Sequence, residues 1–234
     1  MDEVSPSSEP TKRGRGRPRE VVRRPSGQGS PLQQRREDYP GTTRAILEAA
    51  HRVLLRHGTG GLTLVAVARE AHVDVTTVSY HFGTRHGLIE NLMDLLYSDT
   101  VADLAENVSH LDSGYDRWHA YMATVSRMCQ DREAARAYFD ITALALRDDA
   151  LRIRLARLNV WTIGAFAQLL QAPDLPDLSD DQVKVLGELI FAAVDGINLH
   201  HALAGSDYPL DDVLTLLERV ISDSISKDTD TSHG

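Results

Sequence analysis

The segment LTLVAVAREAHVDVTTVSYHF, residues 62–82, places hydroxyl, phenol and imidazole side chains close together on a predicted short helix. Its polar and flanking positions are Val75, Thr76, Thr77, Ser79, Tyr80 and His81. Small hydroxyl groups let a helix approach base edges closely, and Tyr and His can donate hydrogen bonds to phosphate oxygens. The N-terminal end of a helix dipole also favours phosphates. This side-chain chemistry suits contact with DNA.

Three short helices must position these side chains. An apolar series at helical spacing from Ile46 to Leu54 predicts the first helix, and glycines from Gly58 onward end it. Thr63 can cap the second helix and Asp74 the third. Two short helices joined by a tight turn form a helix-turn-helix over about residues 63–82. Its core-facing positions are predicted to be Val67, Val73, Val78 and Phe82. Many small helical proteins also contain such a pair, so this pattern alone leaves its use open.

The wider sequence carries a family resemblance. From RAILEAAHRVLLRHG through TLVAVAREAHVDVTTVSYHFGTRHGLIENLM, roughly residues 40–95, the chain resembles the DNA-binding domain of the TetR family of transcriptional regulators. The resemblance implies phosphate contacts from Thr63, Tyr80 and Arg85. It implies base or near-base contacts from four side chains: Val75, Thr76, Thr77 and His81. Val75 could equally be a core residue.

Three positions depart from the family pattern. His72 stands in the turn where the family usually has Gly, so we expect a positive φ that is less easy for His. Ser79 replaces the usual Tyr, and Tyr80 could supply the missing phenol. Arg85 replaces the usual Lys and keeps its charge.

The remainder is predicted to be helical, with no β pattern, so the expected fold class is all-α. The resemblance divides the chain into a three-helix HTH domain, residues 39–99, and a helical ligand-binding and dimerisation domain, residues 100–226. Segments 1–38 and 227–234 are predicted to be disordered. In the family the last two helices pair with their copies in a homodimer, for which residues 180–203 and 210–225 are the candidates. The same apolar stripes could instead be buried within one chain.

The resemblance also implies a small-molecule effector that alters operator binding, most often by a repressor on a palindromic site. Candidate wall residues of its pocket are Trp118, Tyr121, Met122, Tyr138, Phe139, Trp161 and Phe166. Their helical spacing is equally typical of core residues. Asp195 and Asn198, on an otherwise apolar helix, could orient a polar ligand group or form hydrogen bonds at the dimer interface. The residues do not decide between these readings.

Charge is unevenly distributed along this acidic chain of net charge −9. Residues 1–90 hold 14 basic and 10 acidic side chains, whereas residues 91–234 hold 11 basic and 24 acidic ones. DNA would therefore contact the N-terminal part. The stretch KRGRGRPREVVRR, residues 12–24, includes Arg15-Gly16-Arg17-Pro18, which is similar to an AT-hook core that lies in the narrow minor groove of A·T-rich DNA. Arg15 and Arg17 would make those contacts. The alternatives are a non-specific electrostatic tail, a solubility tail or a cloning remnant.

Other functions find little support. The sequence lacks a Gly-rich phosphate loop, an HExxH, a CxxC pair and a GxSxG, so we expect no enzyme activity, cofactor or metal. With the single Cys129 and no run of about 18 apolar residues, we expect a cytoplasmic protein with no membrane contact. The alternative function is a helical small-molecule-binding or enzyme domain that keeps the HTH only as scaffold.

Overall fold

The computed structural model describes residues 41–108, 110–167 and 178–227, and these fold into nine α-helices without a strand among them. The basic N-terminal stretch and both predicted disordered segments, apart from Lys227 at the end of the last helix, lie outside the described residues. The helices are α1 Gly41–Gly61, α2 Leu64–Glu70, α3 Val75–Phe82, α4 Arg85–Val108, α5 Gly114–Gln130, α6 Arg132–Ala145, α7 Asp149–Ala167, α8 Asp180–Ala204 and α9 Leu210–Lys227. None of these described helices is long and apolar enough to cross a membrane.

The first three helices form a small N-terminal unit around buried apolar side chains. Ile46, Leu47 and Leu54 of α1 are buried, since their spacing places them on one face of the helix. Val67 of α2 and Val78 of α3 are also fully buried. The predicted inner face is confirmed for three of its four members, while Val73 is only half-buried.

The helix caps follow the sequence closely, with one exception. The Thr63 hydroxyl accepts a hydrogen bond from the Ala66 N–H at 3.1 Å and so caps α2. Ser179 and Gln182 form the predicted capping box of α8. Asp74 precedes α3 as predicted, but its side chain makes no capping hydrogen bond.

Gly58 interrupts α1 near its end, where the helix lies close to α6. Gly58 has φ of 63° and breaks the helical geometry, although helical hydrogen bonding resumes as far as Gly61. A Cβ at Gly58 would lie 2.5 Å from Asp140 Oδ2 of α6. The backbone conformation therefore favours glycine, and a Cβ there would require the end of the Asp140 side chain to shift.

The N-terminal unit and the rest of the chain share a core. Ala137 and Ile141 of α6 and Leu151 and Leu155 of α7 belong to the same buried cluster as α1–α4. A second cluster joins the end of α4 to α5, α8 and α9. The predicted boundary between residues 99 and 100 falls inside α4, which continues from one cluster to the other.

The turn between α2 and α3 has the predicted positive φ. His72 adopts φ of 55°, the only such value at a non-glycine position among the described residues. The Val73 N–H donates to the Ala68 carbonyl at 3.0 Å, which holds the turn despite the strain on His72.

We expect His72→Gly to raise the free energy of unfolding by about 0.5–1 kcal/mol, because glycine adopts this conformation without the steric cost of a Cβ. Urea unfolding at one fixed protein concentration measures the change. His110→Gly is the matched control: His110 is exposed and has no positive φ, so glycine there should bring no gain. Equal effects of the two substitutions would contradict the strain at His72.

Candidate functional site

Four side chains form the solvent-facing surface of α3. Val75, Thr76, Ser79 and Tyr80 are all exposed, and their positions i, i+1, i+4 and i+5 place them on one side of the helix. Tyr80 keeps 59% of its surface and Val75 keeps 42%. Val75 is thus not a core residue in this chain. We call these four residues the α3 surface.

Two residues predicted to contact bases lie elsewhere. His81 is half-buried, and its Nδ1 forms a hydrogen bond of 3.1 Å with the hydroxyl of the buried Thr43 in α1. The Nδ1 atom is thus engaged with α1, and the base contact by His81 stays a prediction. Thr77 is half-buried at the edge of the α3 surface. The Ser79 hydroxyl donates to the Gly83 carbonyl at 3.2 Å, so it also helps to end the helix.

Arg85 forms hydrogen bonds with the backbone before α2, and its phosphate contact stays a prediction. Its Nε donates to the Leu62 carbonyl at 2.7 Å, and an Nη donates to the Thr59 carbonyl. The half-buried guanidinium thus fastens the start of α4 to the connection between α1 and α2. This connection leads directly to Thr63, so Arg85 positions the exposed cap of α2.

A cavity of about 670 Å³ lies between α4, α5, α6, α7 and α8. Four of the predicted wall residues line it: Tyr121, Tyr138, Asp195 and Asn198. Most of the other lining side chains are apolar, including Met93, Val101, Leu104, Ile141, Ile163, Ile190 and Val194. A cavity of this size and character can enclose a drug-sized molecule.

Trp118, Met122, Phe139 and Trp161, four of the other predicted wall residues, do not line the cavity. Trp118 and Met122 are buried in the second core cluster, where the Trp118 ring stacks on Tyr121 at 5.7 Å. Phe139 packs edge-on against Tyr138, with ring centroids 5.1 Å apart. Trp161 is half-buried in α7. The Phe166 side chain lies outside the described part of the chain.

A carboxylate and three phenols are among the polar groups of the cavity wall. The Tyr138 hydroxyl donates to Asp195 Oδ2 at 2.9 Å. Burial raises the pKa of the Asp195 carboxyl, while the hydrogen bond from Tyr138 acts in the opposite sense. Burial also raises the pKa of Tyr97, Tyr121 and Tyr138, and the nearby Asp195 raises all three further. These phenols are therefore neutral hydrogen-bonding groups.

Two buried polar atoms in the cavity wall lack a protein partner. Asn198 Oδ1 and Thr162 Oγ1 make no hydrogen bond with any described residue. A buried polar atom without a partner costs roughly 1–3 kcal/mol. Such atoms suit a ligand that supplies the missing hydrogen bonds. Asn198 and Asp195 thus both face the cavity.

The sequence analysis missed several wall residues. Tyr97 and Thr162 lie on helices whose apolar pattern shows burial but not the presence of a cavity. Cys129 also lines it, and burial raises the pKa of its thiol to about 11. His51 is less expected, because it belongs to α1 of the N-terminal unit. Burial lowers the pKa of His51, although Asp99 and Asp131 act in the opposite direction. The ring is therefore largely neutral near pH 7.

An exposed apolar surface runs along α8 and α9. On α8 its residues are three, four or seven positions apart, which keeps them on one face of the helix, and two further residues lie on α9: Val185, Leu189, Ala192, Leu199 and Leu203, with Leu216 and Val220. Val185 and Leu203 keep 69% and 75% of their surfaces. We call these seven residues the apolar stripe. Spacing of this kind is typical of helices that pack against other helices.

Two sequence families match the chain. Residues 46–92 match the bacterial regulatory proteins of the TetR family, and residues 115–226 match the C-terminal domain of BetI-type transcriptional repressors. The chain belongs to the TetR family. It is therefore a transcriptional regulator with a TetR-type HTH in α2 and α3, and not an enzyme, as the sequence analysis predicted.

Individual TetR-family proteins agree with this result. The HTH-type transcriptional regulator BetI of Brucella anthropi is 27% identical over 175 residues, which cover 73% of this chain and 86% of that protein. FadR from Bacillus subtilis, in complex with stearoyl-CoA, has a TM-score of 0.60 and 16% identity over 76% of this chain and 96% of its own. A Saccharomonospora viridis regulator in complex with choline has a TM-score of 0.63 and 14% identity, covering 77% and 95%. The two structures share the all-α TetR-family fold.

Proposed function

We propose that this TetR-family regulator is a homodimeric repressor that binds a palindromic or near-palindromic operator in the cytoplasm and is released by a small-molecule effector. The observation that carries the proposal is the continuity of α4. Its 24 residues extend over about 36 Å. Arg85 at its start is fastened to the HTH unit, whereas Tyr97, Val101 and Leu104 farther along line the cavity.

The apolar stripe supports a dimer formed by α8 and α9. The described part of the chain leaves the Leu and Val side chains of the stripe 39–75% exposed, and a second copy offers a matching surface across a two-fold axis. The proposed interface comprises residues 180–203 and 210–225 of each subunit. Two-fold symmetry would place two copies of α3 against two half-sites, which is why a palindromic operator is expected.

Hydrogen bonds from Arg154 of α7 to α4, here called the Arg154 clamp, support a coupling between effector binding and operator binding. Arg154 Nε of α7 donates to Asp94 Oδ1 at 2.8 Å and to the Glu90 carbonyl at 3.1 Å. The clamp therefore lies between the HTH end of α4 and its cavity end. An effector releases the operator only if it binds more tightly to a conformation in which the two HTH units are poorly spaced. A shift of α4 about the Arg154 clamp would change that spacing.

Within each HTH unit we assign roles by exposure. The α3 surface would meet the major groove, with Thr76 and Val75 near base edges and Tyr80 on a phosphate. Thr63 keeps a hydroxyl proton for a second phosphate while its oxygen caps α2. Thr77, at the edge of the α3 surface, remains a candidate for a base contact.

The decisive experiment is a mobility shift with DNA from upstream of the protein's own gene. Sequence-specific, salt-dependent binding that is lost on a scrambled half-site would support the proposal. Absence of specific binding to that DNA and to a random-sequence selection pool would refute it, and would favour the HTH as mere scaffold.

The basic N-terminal stretch is proposed to contact the minor groove next to each half-site, on the sequence evidence of Arg15 and Arg17. We expect removal of residues 1–30, which carry seven Lys and Arg side chains, to lower operator affinity about tenfold and to flatten its salt dependence. Equilibrium titration at several salt concentrations measures both.

A charge-preserving control separates groove contact from simple attraction. Gly14→Ala with Gly16→Ala keeps every charge but hinders the close approach of backbone to groove floor. Loss of affinity in this variant supports the minor-groove contact, whereas affinity equal to that of the unmodified chain supports a non-specific electrostatic tail.

A further inference from the structure

The charges around the cavity are predominantly negative. Four carboxylate side chains line it: Asp103, Glu106, Asp131 and Asp195. Asp103, Glu106 and Asp131 are exposed, whereas Asp195 is half-buried. Arg127 is the cationic side chain among the described lining residues, since His51 is largely neutral near pH 7. An anionic effector would meet a net negative potential at this cavity, and a cation would be attracted. TetR-family structures include one with the anion stearoyl-CoA and one with the cation choline, so the family alone does not determine the charge of the effector.

Aromatic residues share the cavity lining with the half-buried Asp195 carboxylate. Tyr97, Tyr121, Tyr138 and Phe191 all line the cavity, and Asp195 interacts electrostatically with each of the three tyrosines. The faces of aromatic rings attract a cation within about 6 Å, and the attraction strengthens where water is excluded. A half-buried carboxylate that shares a cavity with three phenols is therefore suited to an organic ammonium group, which can lose its hydration shell more readily than a metal ion.

The size of the cavity argues for a ligand with a large apolar body. Its volume of about 670 Å³ lies in the range of roughly 300–1,000 Å³ that encloses drug-sized molecules, whereas choline is much smaller. Much of the wall is built by apolar side chains such as Leu96, Leu104 and Ile141. Choline alone would leave most of this apolar wall without a partner.

We infer that the effector is an amphiphilic organic cation, with its ammonium group at Asp195 among Tyr97, Tyr121 and Tyr138 and its apolar body along α4 and α6. Asn198 Oδ1 and Thr162 Oγ1 provide a hydrogen-bonding position for a hydroxyl or N–H group on the same molecule. This inference rests on the proposed function for its regulatory meaning, because it names the chemical class of the effector. It concerns binding to the cavity and does not require DNA.

Calorimetric titration of the full chain without DNA tests the inference with three probes: decyltrimethylammonium, choline and decanoate. We expect decyltrimethylammonium to bind about thirtyfold or more tightly than choline, because its chain covers the apolar wall. Decanoate, with a chain of similar length and opposite charge, should bind about tenfold or more weakly than decyltrimethylammonium. Equal affinity for decanoate and decyltrimethylammonium, or a preference for choline, would overturn the inference.

Substitution at the carboxylate locates the ammonium group. Asp195→Asn should lower affinity for decyltrimethylammonium about tenfold or more while leaving decanoate binding unchanged or stronger. Glu188→Gln removes the same charge from the exposed side of α8 and should change neither. Equal effects of the two substitutions would contradict a cation site at Asp195. Because the ligand series uses the unmodified chain, it remains decisive even if Asp195→Asn folds poorly.

The mobility shift separates the two proposals. Specific operator binding together with a preference for decanoate would leave the proposed function standing and refute the cationic effector. Tight binding of decyltrimethylammonium by a chain that binds no operator would do the reverse. If both hold, decyltrimethylammonium should release the operator at concentrations near its dissociation constant, and decanoate should not.

Discussion

Leu189→Glu combined with Leu216→Glu is expected to give a monomer whose affinity for the operator is lower by a factor of about a hundred or more. Both side chains belong to the apolar stripe and are more than half or about half exposed in the single chain. Burying two carboxylates per subunit in an apolar interface would cost far more than the contacts return. A monomer can bind one half-site only. It therefore loses the high effective concentration that the first bound HTH unit of a dimer gives to the second.

Sedimentation velocity and a mobility shift on the full operator check this prediction. Leu146→Glu is the matched control, because Leu146 is 73% exposed at the end of α6 and is not part of the apolar stripe. The control should remain dimeric with normal operator affinity. If the double variant also stays dimeric, or if Leu146→Glu dissociates as well, the interface does not lie on α8 and α9.

Tyr80→Ala should lower operator affinity about a hundredfold without changing the dimer. Tyr80 keeps 59% of its surface, and its hydroxyl makes no hydrogen bond with any described residue that would compete with a phosphate. A hydrogen bond to a charged group contributes roughly 1.5–3 kcal/mol. A dimer places two copies of Tyr80 on the operator, so the substitution removes this binding free energy twice.

The pattern of the loss distinguishes phosphate from base contact. Tyr80→Ala should weaken binding to the operator and to a mismatched site by similar factors, whereas Thr76→Ala should reduce the preference between them. Tyr115→Ala removes a phenol of α5 that is 37% exposed and should leave both affinities unchanged. If Tyr80→Ala impaired only the matched operator, its assignment to a phosphate would be wrong.

Local signals predicted the helices of the N-terminal unit well. The bounds of α3, Val75–Phe82, and the positive φ of His72 follow from caps and turn residues that act within a few positions of the chain. Family membership confirms the TetR-type HTH and the all-α class. These features depend on neighbours in sequence, which is why they could be predicted.

Side-chain partners across helices could not be predicted in the same way. His81 and Arg85 carry chemistry suited to DNA, yet Thr43 and two carbonyls before α2 are nearer partners in the fold. Periodicity likewise predicted that Trp118 and Tyr121 are both buried. It could not tell that Trp118 belongs to the solid core while Tyr121 borders the cavity, because that depends on how five helices meet.

The site of His51 has a practical consequence for building hybrid regulators. A recombinant that joins residues 41–84 to the C-terminal part of a relative would import a foreign wall of the cavity through His51, and would also replace the α6 surface that meets Gly58. The part of this chain that determines operator specificity therefore cannot be exchanged without also changing the effector cavity. A functional biosensor made from it would need α1 and α6 to be transplanted as a pair.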